Sequence, residues 1–318
     1  RSDAASRRIV CLSAILPDGD QLEDFTAWLT DDQDDGLIKK DWRPTRLRFG
    51  EIAWSPGNAA QPDGSAELKI SVGGERPWVR NFIIPHLPKG RISKLFPCDQ
   101  RELCIASAWR LMDDGHTVLI FCPQRRSVEP FAREIVKLHK AGSLKSVLVG
   151  DESRLAVALA IGEEWLGSDS NVLKCLKLGV AVHHGALPTA YRKEIEKLLR
   201  ENVLRLTISS PTLAQGLNLS ATSLLFHALS RNTNLGPIEV SEFRNVVGRA
   251  GRAYVDVEGL ALYPMFDDIA NRRFQWEKLV ADEGGKEMES GLLRLVLALF
   301  ARMLRKLGAV NLLITAES

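Results

Sequence analysis

Thr117-Val118-Leu119-Ile120-Phe121-Cys122 is apolar at nearly every position, and it constrains the fold more than any other stretch. A strand with one face in water alternates apolar and polar residues. A near-continuous run fits a strand covered on both faces, as inside a parallel sheet. Pro123-Gln124-Arg125-Arg126 then turns, Ser127 can cap, and Val128, Phe131, Ile135 and Leu138 share one face of a following helix. Further strands read at 179–185, 203–209, 223–227 and 259–263. Helical patterns read at 99–113 and 154–165, from Pro188 to a stop at Asn202 with Tyr191, Ile195, Leu198 and Leu199 as the buried stripe, and at 239–244. The expected class is α/β: a parallel sheet with helices on both faces and functional loops at the carboxyl ends of its strands.

The 318 residues suggest about two domains. At 45% hydrophobic and 26% charged the composition is that of a soluble globular protein, and the net charge of +2 means that any basic surface is local. Cys11, Cys98, Cys104, Cys122 and Cys175 are scattered without a C-x-x-C pair, which argues against a zinc site or a disulfide framework and suits a reducing cytoplasm. The first eight residues lack the apolar region of a signal peptide, and the apolar run 292–301 is short and contains Arg294, so no membrane partner is expected. The chain begins without methionine and enters a strand at once, and is read as a piece of something larger.

Arg8–Ala14 reads as a short strand, followed by a turn and a helix with Leu22, Phe25, Trp28 and Leu29 on one face. Asp31–Gly36 lacks the ligand spacing of a calcium loop and reads as a solvated turn. Residues 42–50 alternate like a strand; 67–72 and 78–84 are β-like runs around Gly73-Gly74, a small β insertion. Its Trp54, Arg76, Trp78 and Arg80 suit either packing or stacking on nucleic acid. Near the end, 268–281 reads helical, 282–285 breaks, and 292–307 is a helix apolar over more than half its circumference.

Asn245-Val246-Val247-Gly248-Arg249-Ala250-Gly251-Arg252 carries two arginines three apart, each preceded by glycine. Arginine offers a planar, permanently charged fork matched to phosphate oxygens. The stretch resembles the QxxGRxGR motif of the two-domain, RecA-like helicases of the DEAD/DEAH class in superfamily two, and is closest to their superkiller-like branch. Ser210-Pro211-Thr212-Leu213-Ala214-Gln215-Gly216-Leu217-Asn218-Leu219, Gly179…His183-His184-Gly185-Ala186-Leu187, and Ser13-Ala14-Ile15 resemble further motifs of that branch. The departures are Asn245 for glutamine, Ile15 for threonine and Ser220 for proline. The adjacent histidines alone suggest a metal, but strand neighbours point to opposite faces and rarely share one ion.

The resemblance implies a RecA-like fold with a small β insertion and a C-terminal helical segment. Residues 1–50 would be the edge of a first RecA-like domain, 51–96 a β-rich insertion or linker, 97–266 the second RecA-like domain, and 267–318 the start of a further domain. It implies Arg252 as the arginine finger with Arg249 as its companion, and Gly216, Asn218, Asn245 and Gly248 toward the nucleotide. Arg125, His184, Gly185 and Thr212 would face the backbone of one nucleic-acid strand, DNA or RNA, and Ser13 would couple nucleotide state to that grip. For Arg125 and Arg126 a plain surface loop remains the alternative.

No G-x-x-x-x-G-K-[ST] loop occurs in the sequence. The resemblance assigns ATP and Mg2+ mainly to the first RecA-like domain of the same protein, upstream of the Ser13 strand, so this chain alone is expected to be inactive. A non-catalytic RecA-like module that binds nucleic acid or a protein is the other reading.

Overall fold

The computed structural model describes residues 26–27, 46–57, 63–71, 78–211, 221–232, 236–251, 256, 258–267 and 270–281. Apart from Thr26 and Ala27 these lie in one unit, Asp41–Glu283. In chain order the elements are β1 (Arg46–Ser55), β2 (Ser65–Ile70), β3 (Trp78–Ile83), α1 (Gln100–Asp113), β4 (Val118–Phe121), α2 (Val128–Lys140) and α3 (Ala156–Leu166). Then come α4 (Asn171–Lys177), β5 (Val180–His183), α5 (Thr189–Arg200), β6 (Leu206–Ser209), β7 (Ser223–Phe226), β8 (Ser230–Asn232), β9 (Gly236–Pro237), α6 (Val240–Val247), β10 (Glu258–Met265) and α7 (Ala270–Ala281).

Eight strands form one sheet in the order β3-β2-β1-β10-β7-β4-β6-β5. From β1 to β5 all neighbours are parallel. The apolar run at 117–122 is its middle: β4 is buried at all four positions, between β6 and β7. Val118, Ile120 and Cys122 join the core cluster that contains the apolar faces of α1 and α2. Leu119 and Phe121 point the other way, into the cluster containing those of α6 and α7. Helices therefore cover both faces, the RecA-like α/β arrangement, and each fully buried large side chain contributes roughly 1.5–3 kcal/mol.

β1 pairs in parallel with β10, so residues 46–50, read from the sequence as leading out of a first domain, are a strand of this sheet. The β-like runs at 67–72 and 78–84 become β2 and β3, which pair antiparallel with each other and, through β1, extend the same sheet. Trp54 stacks on Phe266 at 5.2 Å, which is packing, while Trp78 is 47% exposed with the Arg80 guanidinium 4.3 Å above its ring. Gly73, Gly74 and Arg76 lie outside the described residues, as do 31–36, 282–285 and 292–307.

The caps differ from expectation in one place. Asp99 caps α1 by accepting from the Glu102 amide at 2.8 Å. Ser127, expected to cap α2, is already in the right-handed helical region and makes no capping bond. A 3-10 turn over Arg125–Ser127 runs directly into the helix, so its amides are satisfied from within. α3 begins after another such turn, Glu152–Leu155. The short α4, not read from the sequence, is capped by Ser170. Asn202 stops α5 with φ +54°.

On the second face, an aromatic cluster fixes α6. Phe243 stacks on Phe226 at 5.0 Å and on Phe49 at 6.1 Å, with Trp276 of α7 edge-on at 5.6 Å. Such pairs add about 0.5–1.5 kcal/mol beyond area burial. No helix among the described residues is long and apolar enough to cross a membrane.

Candidate functional site

α6 carries the chain from the carboxyl end of β7 back to the amino end of β10. Gly248 ends it, donating to the Arg244 carbonyl at 2.9 Å. The next residues pair with the segment in front of β7: Ala221 donates to the Arg249 carbonyl at 3.0 Å and accepts from the Gly251 amide at 2.7 Å. Gly251 has φ +83°, a conformation that favours glycine. The expectation that all functional loops lie at the carboxyl ends of the strands is thus corrected. The arginine stretch stands at the amino ends of β7 and β10, because a crossover helix between parallel strands must finish there.

Asn245 and Gly248 are exposed, and Arg249 is half-buried beside them. Burial lowers the Arg249 guanidinium below its ordinary value, though an arginine stays charged at neutral pH. Ser13, Thr212, Gly216, Asn218 and Arg252 lie outside the described residues.

The opposite end of the sheet carries a basic cleft. Arg125 and Arg126 are exposed on the turn after β4. With Gln124, Glu129, Pro130, Arg133 and Arg231 they line a cleft of about 690 Å³. Arg231 is held by an ion pair to Glu242 of α6. Sequence reading missed Arg133 and Arg231. Arg133 follows Arg126 by two helical turns, a legible signal, whereas only tertiary structure brings Arg231 there.

His184 and Gly185 follow β5. Gly185 is exposed, but His184 is 2% exposed and sits behind the cleft, its Nε2 3.4 Å from Glu129 Oε1. Burial lowers its pKa, with Glu129 opposing and Arg125 reinforcing. His183 faces the other way, 3.2 Å from Glu196 of α5, and burial lowers it too, against the opposing pull of Glu196. The strand alternation that separates the two imidazoles sends each to a different helix. Among the described residues no group of three His, Cys, Asp or Glu is arranged to hold a metal ion.

No family profile matches the chain. It is 33% identical over 279 residues to the Hachiman protein HamB of Bacillus cereus, a match covering 85% of this chain and 23% of that protein. It is 31% identical over 261 residues to the ATP-dependent DNA helicase Hel308 of Methanocella arvoryzae, covering 80% and 30%. Against DNA polymerase theta of Mus musculus the identity is 30% over 166 residues, covering 49% and 6%. The chain therefore spans less than a third of the length of these relatives. Its homologues are therefore the Hel308-type superfamily-two helicases, HamB and DNA polymerase theta, and its RecA-like sheet agrees with a fragment of such a helicase.

Proposed function

We propose that this chain supplies the carboxy-terminal motor half of an ATP-dependent nucleic-acid helicase or translocase. In this reading residues 97–266, with β1 added to their sheet, are the second RecA-like domain, and a first domain that the chain leaves before β1 holds most of the nucleotide. The observation that carries it is the seating of Ala250 against Ala221 and Gly259, which leaves Asn245 and Gly248 at the surface with Arg249 half-buried beside them. A guanidinium next to an exposed amide suits phosphate oxygens. In this reading a magnesium ion would be held mainly by the first domain. Arg249 and Arg252 neutralise charge at the γ-phosphate, an effect of ~10³–10⁵ in rate in related systems. Gly216 and Asn218 lie toward the nucleotide, Arg125, Gly185 and Thr212 meet the strand, and His184 supports that face from behind. Ser13 couples the two. Domain closure then shifts the grip on one strand.

The test is ATP turnover in the full-length protein. Arg252→Ala and Arg249→Ala are expected to abolish nucleic-acid-stimulated hydrolysis while leaving the melting curve intact. Unchanged turnover would sink the finger assignment and favour a non-catalytic module. The chain alone is expected to show no turnover.

A further inference from the structure

α2 joins two depressions in the surface. The arginine cleft opens at its start, beside Arg126 and Arg133. A second depression, about 310 Å³, lies at its end and is lined by Lys89, Arg91, Lys137 and Lys140. Arg133, Lys137 and Lys140 stand at i, i+4 and i+7 on one helix face. The helix that carries them is about 20 Å long.

The carboxylate within this face, Glu134, is engaged. Glu134 lies 3.2 Å from both Arg91 and Lys137, whereas Glu129, 63% exposed, keeps its charge beside the arginine cleft at the other end of the helix. Lys89 and Lys140 are exposed and make no ion pair among the described residues; Lys140 acts on Asp169 only through space. A basic helix face is ordinarily just solvated. Here the cations line concave surface, and the loop bringing Lys89 to them is tied down. Arg91 bonds Glu102, Glu134 and the Leu95 carbonyl, and the Lys89 amide donates to the Ala141 carbonyl at 3.3 Å.

We infer that this face of α2 is a second nucleic-acid track, taking the phosphates of a strand that continues past the arginine cleft. It rests on the nucleic-acid reading proposed for that cleft. Cations in a line suit a polyphosphate backbone, whereas a compact anion would need them convergent. Lysines without planar, base-reading partners give sequence-independent contact.

The experiment measures affinity of the full-length protein for a fluorescent single strand long enough to pass both depressions, across a salt series. The combined Lys89→Gln, Lys137→Gln, Lys140→Gln variant is expected to flatten the slope of log affinity against log salt by about 2, from three contacts at roughly 0.7 each. Its strand-saturated ATP turnover and its melting curve are expected to stay unchanged. A strand confined to the arginine cleft is expected to show equal slopes in both proteins; a drop there as well would mean a general charge effect and overturn the track. An unchanged slope with the long strand, while the wild type binds normally, would overturn the track and leave the cleft reading standing. No binding by the wild type would overturn both. Lost retention of a glutamate-rich peptide, with the strand slope unchanged, would reassign the face to an acidic protein.

Discussion

The Ala250 carbonyl lies over Gly259 so closely that a Cβ built on Gly259 would come within 2.4 Å of it. The glycine is needed for close approach of two backbones, one carrying the arginine stretch and the other starting β10. Gly259→Ala is expected to push residues 249–251 outward and to cost about 1–3 kcal/mol, the usual penalty of overpacking. In the full-length protein it should also depress ATP turnover more than nucleic-acid affinity. Urea unfolding and turnover measured on the same variant check this. Wild-type values in both would show that the seat of Ala250 is unimportant.

Arg91 bridges Glu102 and Glu134, and none of the three side chains is more than 19% exposed. The carboxyl of Glu102 is held below its ordinary range by bonds from Arg91 and Cys98 despite the opposing effect of burial. Arg91→Ala strands the buried Glu102, whereas Glu134 keeps Lys137 at 3.2 Å, and removing one partner of a buried ion pair costs about 3 kcal/mol or more. Arg91→Lys, which cannot span two carboxylates with a planar fork, is expected to recover less than half of that. Denaturant midpoints of the two variants supply the check.

How far the sequence could be read follows from what each signal encodes. The run at 117–122 announced a doubly covered strand because burial on both faces leaves no polar alternation. The Asn245–Arg252 stretch announced its family because it is contiguous. Its end of the sheet was misjudged, since that depends on which way a crossover helix runs and not on the motif. β2 and β3 were legible as strands but not as part of the main sheet, because alternation says that one face is buried and not which strand lies alongside. Arg231 reaches the arginine cleft only through the fold, and Ser127 lost its capping role to a 3-10 turn that composition does not mark.

His227 gives the acid side of the stability curve. Its pKa is pushed down to about 4, chiefly by burial, with Arg101 and Arg272 reinforcing and Asp99 opposing. The Phe131 ring lies edge-on at 5.0 Å. An unfolded histidine titrates near ~6.5, so the unfolded chain gains the proton first as pH falls. Stability that is complete above ~6.5 is lost down to about 4, with a slope of at most ~1.4 kcal/mol per pH unit from this group. His116, His183 and His184 are shifted in the same direction, each chiefly by burial. Urea midpoints against pH should therefore fall through this window, and His227→Gln should flatten the fall. An identical pH profile in the variant would exclude His227 as a contributor.

Gln100 completes the ladder where β7 and β10 part. Their pairing runs to Leu225 opposite Leu262, and the same register would set His227 opposite Pro264, which has no amide hydrogen to donate. The Gln100 amide enters at that point. Its Nε2 donates to the His227 carbonyl at 3.1 Å and to the Pro264 carbonyl at 2.6 Å, and its Oε1 accepts from the Phe266 amide at 3.0 Å. Only a carboxamide of this length can give two donors and one acceptor from one side chain. Gln100→Leu orphans three backbone groups, at about 1–3 kcal/mol for each that stays buried, so a loss of about 2 kcal/mol or more is expected. Gln100→Glu fails differently, because a carboxylate accepts from Phe266 but repels both carbonyls. The direct readout is hydrogen exchange at the Phe266 amide, which should accelerate in the leucine variant and stay slow in the glutamate variant although both lose stability. Slow exchange in both would mean that another group satisfies Phe266, and would remove Gln100 as the link between the two strands.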